Sequence, residues 1–216
     1  MIKKICFTVL SRANYGSIKK LMSEVMIDKK LVIQLVVGAS ALTDEQGKCV
    51  DLIKKDGFKI NYRADMNINA DQPSNMAQTV GIGLLKLPEI YSKLKPDVIF
   101  VVGDRYEIMS AVISASYMNI PIAHTMGGEI TGTIDESVRH AVSKFSHLHF
   151  VSNKDSYTRV IKLGEKKNFV FNVGCPRIDL VKDIIKQKLK KKSEIYVNKH
   201  GVGDKIVFEK KFIIIS

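Results

Sequence analysis

A doubly wound parallel α/β sheet is the fold this sequence predicts. Runs of β-branched residues alternate with helical patterns along most of the chain, and short Gly- and Asn-containing turns separate them. The most apolar run, VIFVVGD at 98–104, has the composition of a strand covered on both faces. Ligands of such sheets bind beyond the C-terminal ends of the strands, so the loops that follow strands carry the functional reading.

The elements follow in order. Residues 2–10 run apolar as a first strand, SRANYGS turns the chain, and Ile18, Leu21, Met22 and Val25 recur at helical spacing. LVIQLVV at 31–37 is the second strand. A second helix is expected over 44–55, stopped by Gly57, and FKINYRA is the third strand. Met76, Val80, Leu84, Leu87 and Ile90 place one helix over 74–92 in spite of Pro88, and it leads into the 98–104 strand. A helix over 106–118 carries Ile108, Ala111, Val112 and Ala115 on one face. IAHT is a strand, 133–146 a helix, LHFVS a strand, 157–163 a helix and NFVFNVG a strand. PRIDLVKDIIKQKL is a helix entered by proline.

The text changes after about residue 181. Residues 182–211 hold ten Lys and four Asp/Glu, which is half of the net charge of +12. The chain then ends on FIIIS, a strand pattern with no crossover after it. The expected organisation is therefore one domain over 1–180, then a lysine-rich connector and the first strand of an incomplete second domain over 181–216.

Composition narrows the function classes. The 216 residues are 45% hydrophobic and 26% charged, as in a globular protein. The excess of lysine suggests a polyanion, but no nucleic-acid-binding motif accompanies it, and a small anion needs only one or two placed cations. Three widely spaced cysteines, Cys6, Cys49 and Cys175, form neither a disulfide framework nor a metal knuckle. The apolar start at 5–10 is too short for a signal peptide or a membrane span, so the expected location is the cytoplasm.

Three loops could carry chemistry. S-R-A-N-Y-G at 11–16 lacks GxGxxG yet puts Arg12 at a helix start, where a phosphate would meet a fixed cation and free N–H groups. G-D-R-Y-E at 103–107 sets Asp104 and Arg105 at the edge of the central strand, either as site residues or as members of local salt bridges. The loop at 124–136 is the densest: two glycines permit close backbone approach, and Glu129, Asp135 and Glu136 crowd acids together. Thr133 and Glu136 also have the spacing of a capping box, which gives Glu136 a structural alternative. His147 and His149 alternate on one strand face, but no ligand set completes a metal site around them.

GDRYE, HTMGGEITGTIDESVRHAVSKFSHLHF and NVGCPRIDL resemble the hydrolysing UDP-N-acetylglucosamine 2-epimerases of sialic-acid biosynthesis, almost continuously from residue 3 to about 181. The resemblance implies a Rossmann-like N-terminal domain of a glycosyltransferase-B-like fold, with the active site in the cleft between domains. It implies anti elimination of UDP through 2-acetamidoglucal, then hydration to N-acetylmannosamine. Asp104, Glu129 and Glu136 match acidic positions of that chemistry, with Asp135 as a substitute. Arg12 and Arg105 match nucleotide or phosphate positions, and His140 is a weaker substrate-site candidate. The implied partner is a UDP-sugar, with homo-oligomerisation open and with no cofactor, metal, nucleic acid or membrane. Met126 stands where non-hydrolysing relatives carry Glu, which favours the hydrolysing branch.

In the family a histidine-bearing loop follows the strand that FIIIS resembles, and His200 precedes that strand here. The isolated chain is accordingly expected to be weakly active or inactive. Three other readings stay open: a UDP-diacetylbacillosamine 2-epimerase, a glycosyltransferase of the same architecture, and a non-catalytic remnant. UDP-N-acetylglucosamine is the leading substrate.

Overall fold

The computed structural model describes residues 2–43, 49–68, 72–186, 195, 198 and 199. The strand expected at FIIIS, and residues 44–48 of the second helix, lie outside the described residues. The chain divides into two compact units, Met1–Arg177 and Ile178–Ser216.

The first unit is built on seven parallel strands: β1 (Lys3–Val9), β2 (Leu31–Gly38), β3 (Tyr62–Ala64), β4 (Val98–Val102), β5 (Ile122–Thr125), β6 (Leu148–Val151) and β7 (Val170–Asn172). They lie in the order β3-β2-β1-β4-β5-β6-β7, paired parallel throughout. Chain order therefore reverses between β1 and β4, and the loops after these strands diverge to leave a crevice. Six helices connect them: α1 (Arg12–Ile27), α2 (Cys49–Lys55), α3 (Pro73–Leu94), α4 (Ile108–Tyr117), α5 (Ile134–Phe145) and α6 (Lys154–Lys162). A last helix, α7 (Pro176–Lys186), begins in the first unit and continues into the second.

Side-chain alternation divides the sheet's apolar residues between two cores. Cys6, Val36, Ile99, Val101 and Ile122 pack with Leu87, Tyr91, Ala111 and Val112 of α3 and α4. Their neighbours Phe7, Val9, Leu35, Val37, Phe100 and Val102 pack with Tyr15, Ile18 and Met22 of α1 and Ile53 of α2. Each Val, Leu, Ile, Phe or Met among them contributes roughly 1.5–3 kcal/mol by leaving water. Burial of both sets is what the continuous apolar runs of a doubly wound sheet reflect, since successive side chains go to opposite faces. α3 and α4 approach so closely at Gly83 that a Cβ there would lie 2.6 Å from Ser110 Cβ.

Several element bounds differ from the sequence reading. FKINYRA and NFVFNVG contribute only three strand residues each, Tyr62–Ala64 and Val170–Asn172. α3 runs from Pro73 to Leu94, and Pro88 costs one backbone hydrogen bond without ending it. Packing of Leu87, Ile90 and Tyr91 against the sheet carries the helix through the proline.

Candidate functional site

The crevice is held in shape by a buried asparagine. Asn14, in the first turn of α1, accepts the Leu10 N–H at 3.3 Å and donates to the Val102 carbonyl at 3.2 Å. Its own N–H donates to the Ser11 hydroxyl, which caps α1. One side chain thus ties the loop after β1 to the end of β4 and sets Arg12 at the head of its helix. Arg12, Arg105 and Arg177 line an open cleft of about 580 Å³ with Ser11, Ala13 and Gly16.

The cation at Arg105 is anchored from beneath. Its Nε donates to both carboxylate oxygens of Glu107, at 3.0 and 3.3 Å, and Glu107 is 0% exposed. Burial pushes the Glu107 carboxyl up, and the adjoining guanidinium opposes that shift. Arg105 thus forms the salt bridge that one reading of GDRYE expected, and it also lines the cleft.

A second chamber of about 200 Å³ shares Ala13, Arg105 and Arg177 with the first and adds Asp104, Met126, Glu129, Thr131 and Arg139. Arg139, only 2% exposed, forms an ion pair with Asp104 and donates through Nη1 to the Glu129 carbonyl at 2.7 Å. The Glu129 carboxylate in turn accepts the Ser152 hydroxyl. Loops after β4, β5 and β6 therefore converge on Glu129. A cationic cleft adjoining a chamber that holds two carboxylates, Asp104 and Glu129, suits a ligand that carries negative charge at one end and exchanges protons at the other.

The loop after β5 takes backbone conformations that few residues accept. Met126 has φ 65°, and Gly128 has φ 77° with the Ser156 carbonyl where a Cβ would stand. His124 lies under this loop, fully buried, with Nε2 3.0 Å from the Gly103 carbonyl and Nδ1 3.3 Å from the Ser143 hydroxyl. The carbonyl assigns the ring proton to Nε2. Burial lowers the His124 pKa to about 4, so the ring is neutral at neutral pH.

The remaining sequence candidates sit apart from the two chambers. Glu136 accepts the N–H groups of Thr131 and Gly132 at 2.7 and 2.8 Å, and these bonds hold its carboxyl below the usual range. The capping box expected with Thr133 is not formed; Thr133 makes no side-chain cap bond, and Glu136 folds onto the turn before it. His140 lies 3.9 Å from Glu136, one helical turn on. Asp135, at the start of α5, is coupled electrostatically to Arg105 and Glu107.

His147 accepts the Ile122 N–H, whereas buried His149 contacts Glu165 at 3.3 Å, so the two histidines serve separate contacts. Among the described residues no group of three or more His, Cys, Asp or Glu is arranged to hold a metal ion, and no helix is long and apolar enough to cross a membrane.

Sequence reasoning did not single out Glu107, Arg139, Ser152 or Arg177. Arg139 had a readable signal, since it shares a helix face with Val142 and Ser143, both buried in α5. A cation on such a face needs a buried anion. Arg177 stands in the CPRID segment that opens α7, a strand-to-helix junction like that of Arg12.

The sheet order, with an arginine-lined crevice at its reversal, defines a doubly wound α/β domain. Comparison with known proteins gives the family. The model of the family UDP-N-acetylglucosamine 2-epimerase matches residues 23–216. A UDP-N,N′-diacetylbacillosamine 2-epimerase (hydrolyzing) of Legionella pneumophila is 38% identical over 83% of this chain and 48% of its own length. A GDP/UDP-N,N′-diacetylbacillosamine 2-epimerase (hydrolyzing) of Campylobacter jejuni is 33% identical over 91% of this chain and 52% of its own. The crystal structure of Methanocaldococcus jannaschii UDP-GlcNAc 2-epimerase in complex with UDP-GlcNAc and UDP superposes with TM-score 0.79 at 15% identity, over 91% of this chain and 53% of that one. This chain belongs to the UDP-N-acetylglucosamine 2-epimerase family. Its fold is the Rossmann-like domain of the glycosyltransferase-B-like architecture, and it spans about half the length of the curated relatives it matches.

Proposed function

We propose that the crevice between β1 and β4 holds a UDP-linked 2-acetamido sugar, and that the chain carries half of the machinery of a hydrolysing 2-epimerase. The observation that supports this most is the shared wall between the arginine cleft and the acid chamber. In this reading the diphosphate lies against Arg12 and Arg105. The sugar's C1–C2 bond lies in the chamber of Asp104 and Glu129. A carboxylate takes the C2 proton as the C1–O bond to UDP breaks on the opposite face, leaving a glycal. Water then adds its oxygen to C1, and C2 regains a proton on the other face, which inverts it. Asp104 and Glu129 are the leading acid–base groups. Asp135 is the reserve candidate, and Glu136 and His140 shape the loop that carries Glu129.

The leading substrate is UDP-N-acetylglucosamine, giving N-acetylmannosamine and UDP for sialic-acid synthesis. A second substrate, UDP-N,N′-diacetylbacillosamine, is favoured by the names of the 38% and 33% identical relatives. The two sugars share the reacting C1 and C2 and differ at C4 and C6, so the same acid pair serves either. Cytoplasmic location belongs to this reading and accords with three unpaired cysteines, Cys6, Cys49 and Cys175.

Positioned groups act as a unit, so the 216-residue chain alone should turn over slowly or not at all. Each sugar nucleotide should be incubated in D2O with the chain and, in parallel, with the chain joined to the part of the 38% identical relative that it does not match. The joined protein should release UDP and a manno-configured sugar with one deuterium at C2. Product without deuterium at C2, or transfer of the sugar to an acceptor, would overturn the elimination mechanism.

A further inference from the structure

We infer that Arg177 is a third anion-binding residue of the crevice, and that Ser17 is the positioning residue that holds it there. The inference rests on the diphosphate reading of the arginine cleft and adds residues which that reading does not use. Arg177 lines both chambers, so it stands at the boundary between the anion end and the acid end. Its Nε donates to the Ser17 Oγ at 2.8 Å.

The orientation of that contact is fixed by the serine. Ser17 is 1% exposed, and its single hydroxyl proton is committed to the Ala13 carbonyl of the preceding turn at 2.9 Å. Only lone pairs remain for Arg177, so the hydroxyl accepts and cannot swing round to donate. An arginine bound through Nε keeps its two Nη groups as a parallel pair of donors, the geometry that matches two oxygens of a phosphate. Among the described residues the Arg177 Nη groups have no hydrogen-bond or ion-pair partner.

Charge balance in the cleft points the same way. Arg12, Arg105 and Arg177 line it, and of the three only Arg105 is neutralised by a described carboxylate, Glu107. Asp104 is already paired with Arg139. Among the described residues two cations therefore face the crevice without a counter-ion, which fits the charge of a pyrophosphate bridge. A lone solvated arginine would not be held by a buried serine 160 residues away in sequence. Lysine at 177 would supply charge without the Nε contact and the paired donors.

Calorimetric titration of the 216-residue chain with inorganic pyrophosphate, at low and at moderate salt, tests this directly. Arg177→Gln should weaken binding about tenfold or more, as expected for a lost charge-assisted contact. Arg177→Lys should recover only part of that loss. Ser17→Ala should weaken binding about threefold in the parent chain and leave it unchanged in the Arg177→Gln background, the signature of a residue that acts through another.

Equal pyrophosphate affinity for parent and Arg177→Gln, with Arg12→Gln weakened, would overturn the inference and leave the diphosphate reading intact. Loss of binding in none of these variants, or no binding by the parent chain, would overturn both. Folding of each variant is checked by its urea midpoint, and Arg177→Lys serves as the comparison should Arg177→Gln be destabilised.

Discussion

Arg139 makes a large energetic demand in the crevice. It carries a charge at 2% exposure and is matched by Asp104, which is 28% exposed, together with the Glu129 carbonyl. Removing one partner of such a pair strands the other, at a cost of about 3–5 kcal/mol. Arg139→Met should therefore lower unfolding stability by about 3 kcal/mol in urea titration, and adding Asp104→Asn should return part of it. A change below about 0.5 kcal/mol would contradict the tie between the loops.

His124 sets a pH dependence. Its folded-state pKa of about 4 lies below the ordinary 6.5, so the unfolded chain binds more protons between those values. Stability should be fully present above pH 6.5 and fall as pH drops from 6.5 towards 4. Buried His149, also lowered by desolvation, contributes with the same sign. Urea midpoints measured across this window should slope downward towards acid, and His124→Gln should flatten part of the slope.

The strands and connecting helices bring these side chains to one edge. β4 is central to that, because Phe100 packs on Phe7 at 5.1 Å and on Phe150 at 6.1 Å and so joins three strands on one face. Phe100→Ala should cost about 3–5 kcal/mol by chemical denaturation; a loss under 1 kcal/mol would mean the face repacks. Gly128 is the corresponding test in a loop, since alanine there meets both an unfavourable φ and the Ser156 carbonyl. Gly128→Ala should destabilise by more than Gly57→Ala, where φ is similar but the space is open.

Elements of this kind were legible in the sequence because burial on two faces leaves a continuous apolar run, as in VIFVV. The crevice was legible in part. Arg12, Asp104, Arg105 and Glu129, which line the crevice, could be singled out because they stand in loops that follow strand patterns. Arg139 and Arg177 were not, because tertiary partners 35 and 160 residues away give them their roles. The capping-box spacing at Thr133 and Glu136 misled for a related reason: the Gly132 turn offers nearer N–H groups to the same carboxylate.

At the scale of the molecule, the crevice joins a basic cleft to an acid chamber at the reversal point of the sheet, the common place for a nucleotide in this class of fold. A second basic cleft of about 470 Å³, lined by Lys54, Lys59 and Arg63 with Phe58 and Tyr62, provides an internal control, since no acid is among its described lining residues. The most direct measurement is a map of amide chemical-shift changes on the 216-residue chain during titration with UDP-N-acetylglucosamine. Shifts concentrated at Arg12, Gly103, Asp104, Arg105 and Glu129 are expected. Shifts confined to 54–63, or none at millimolar ligand, would contradict the placement of the sugar nucleotide between β1 and β4.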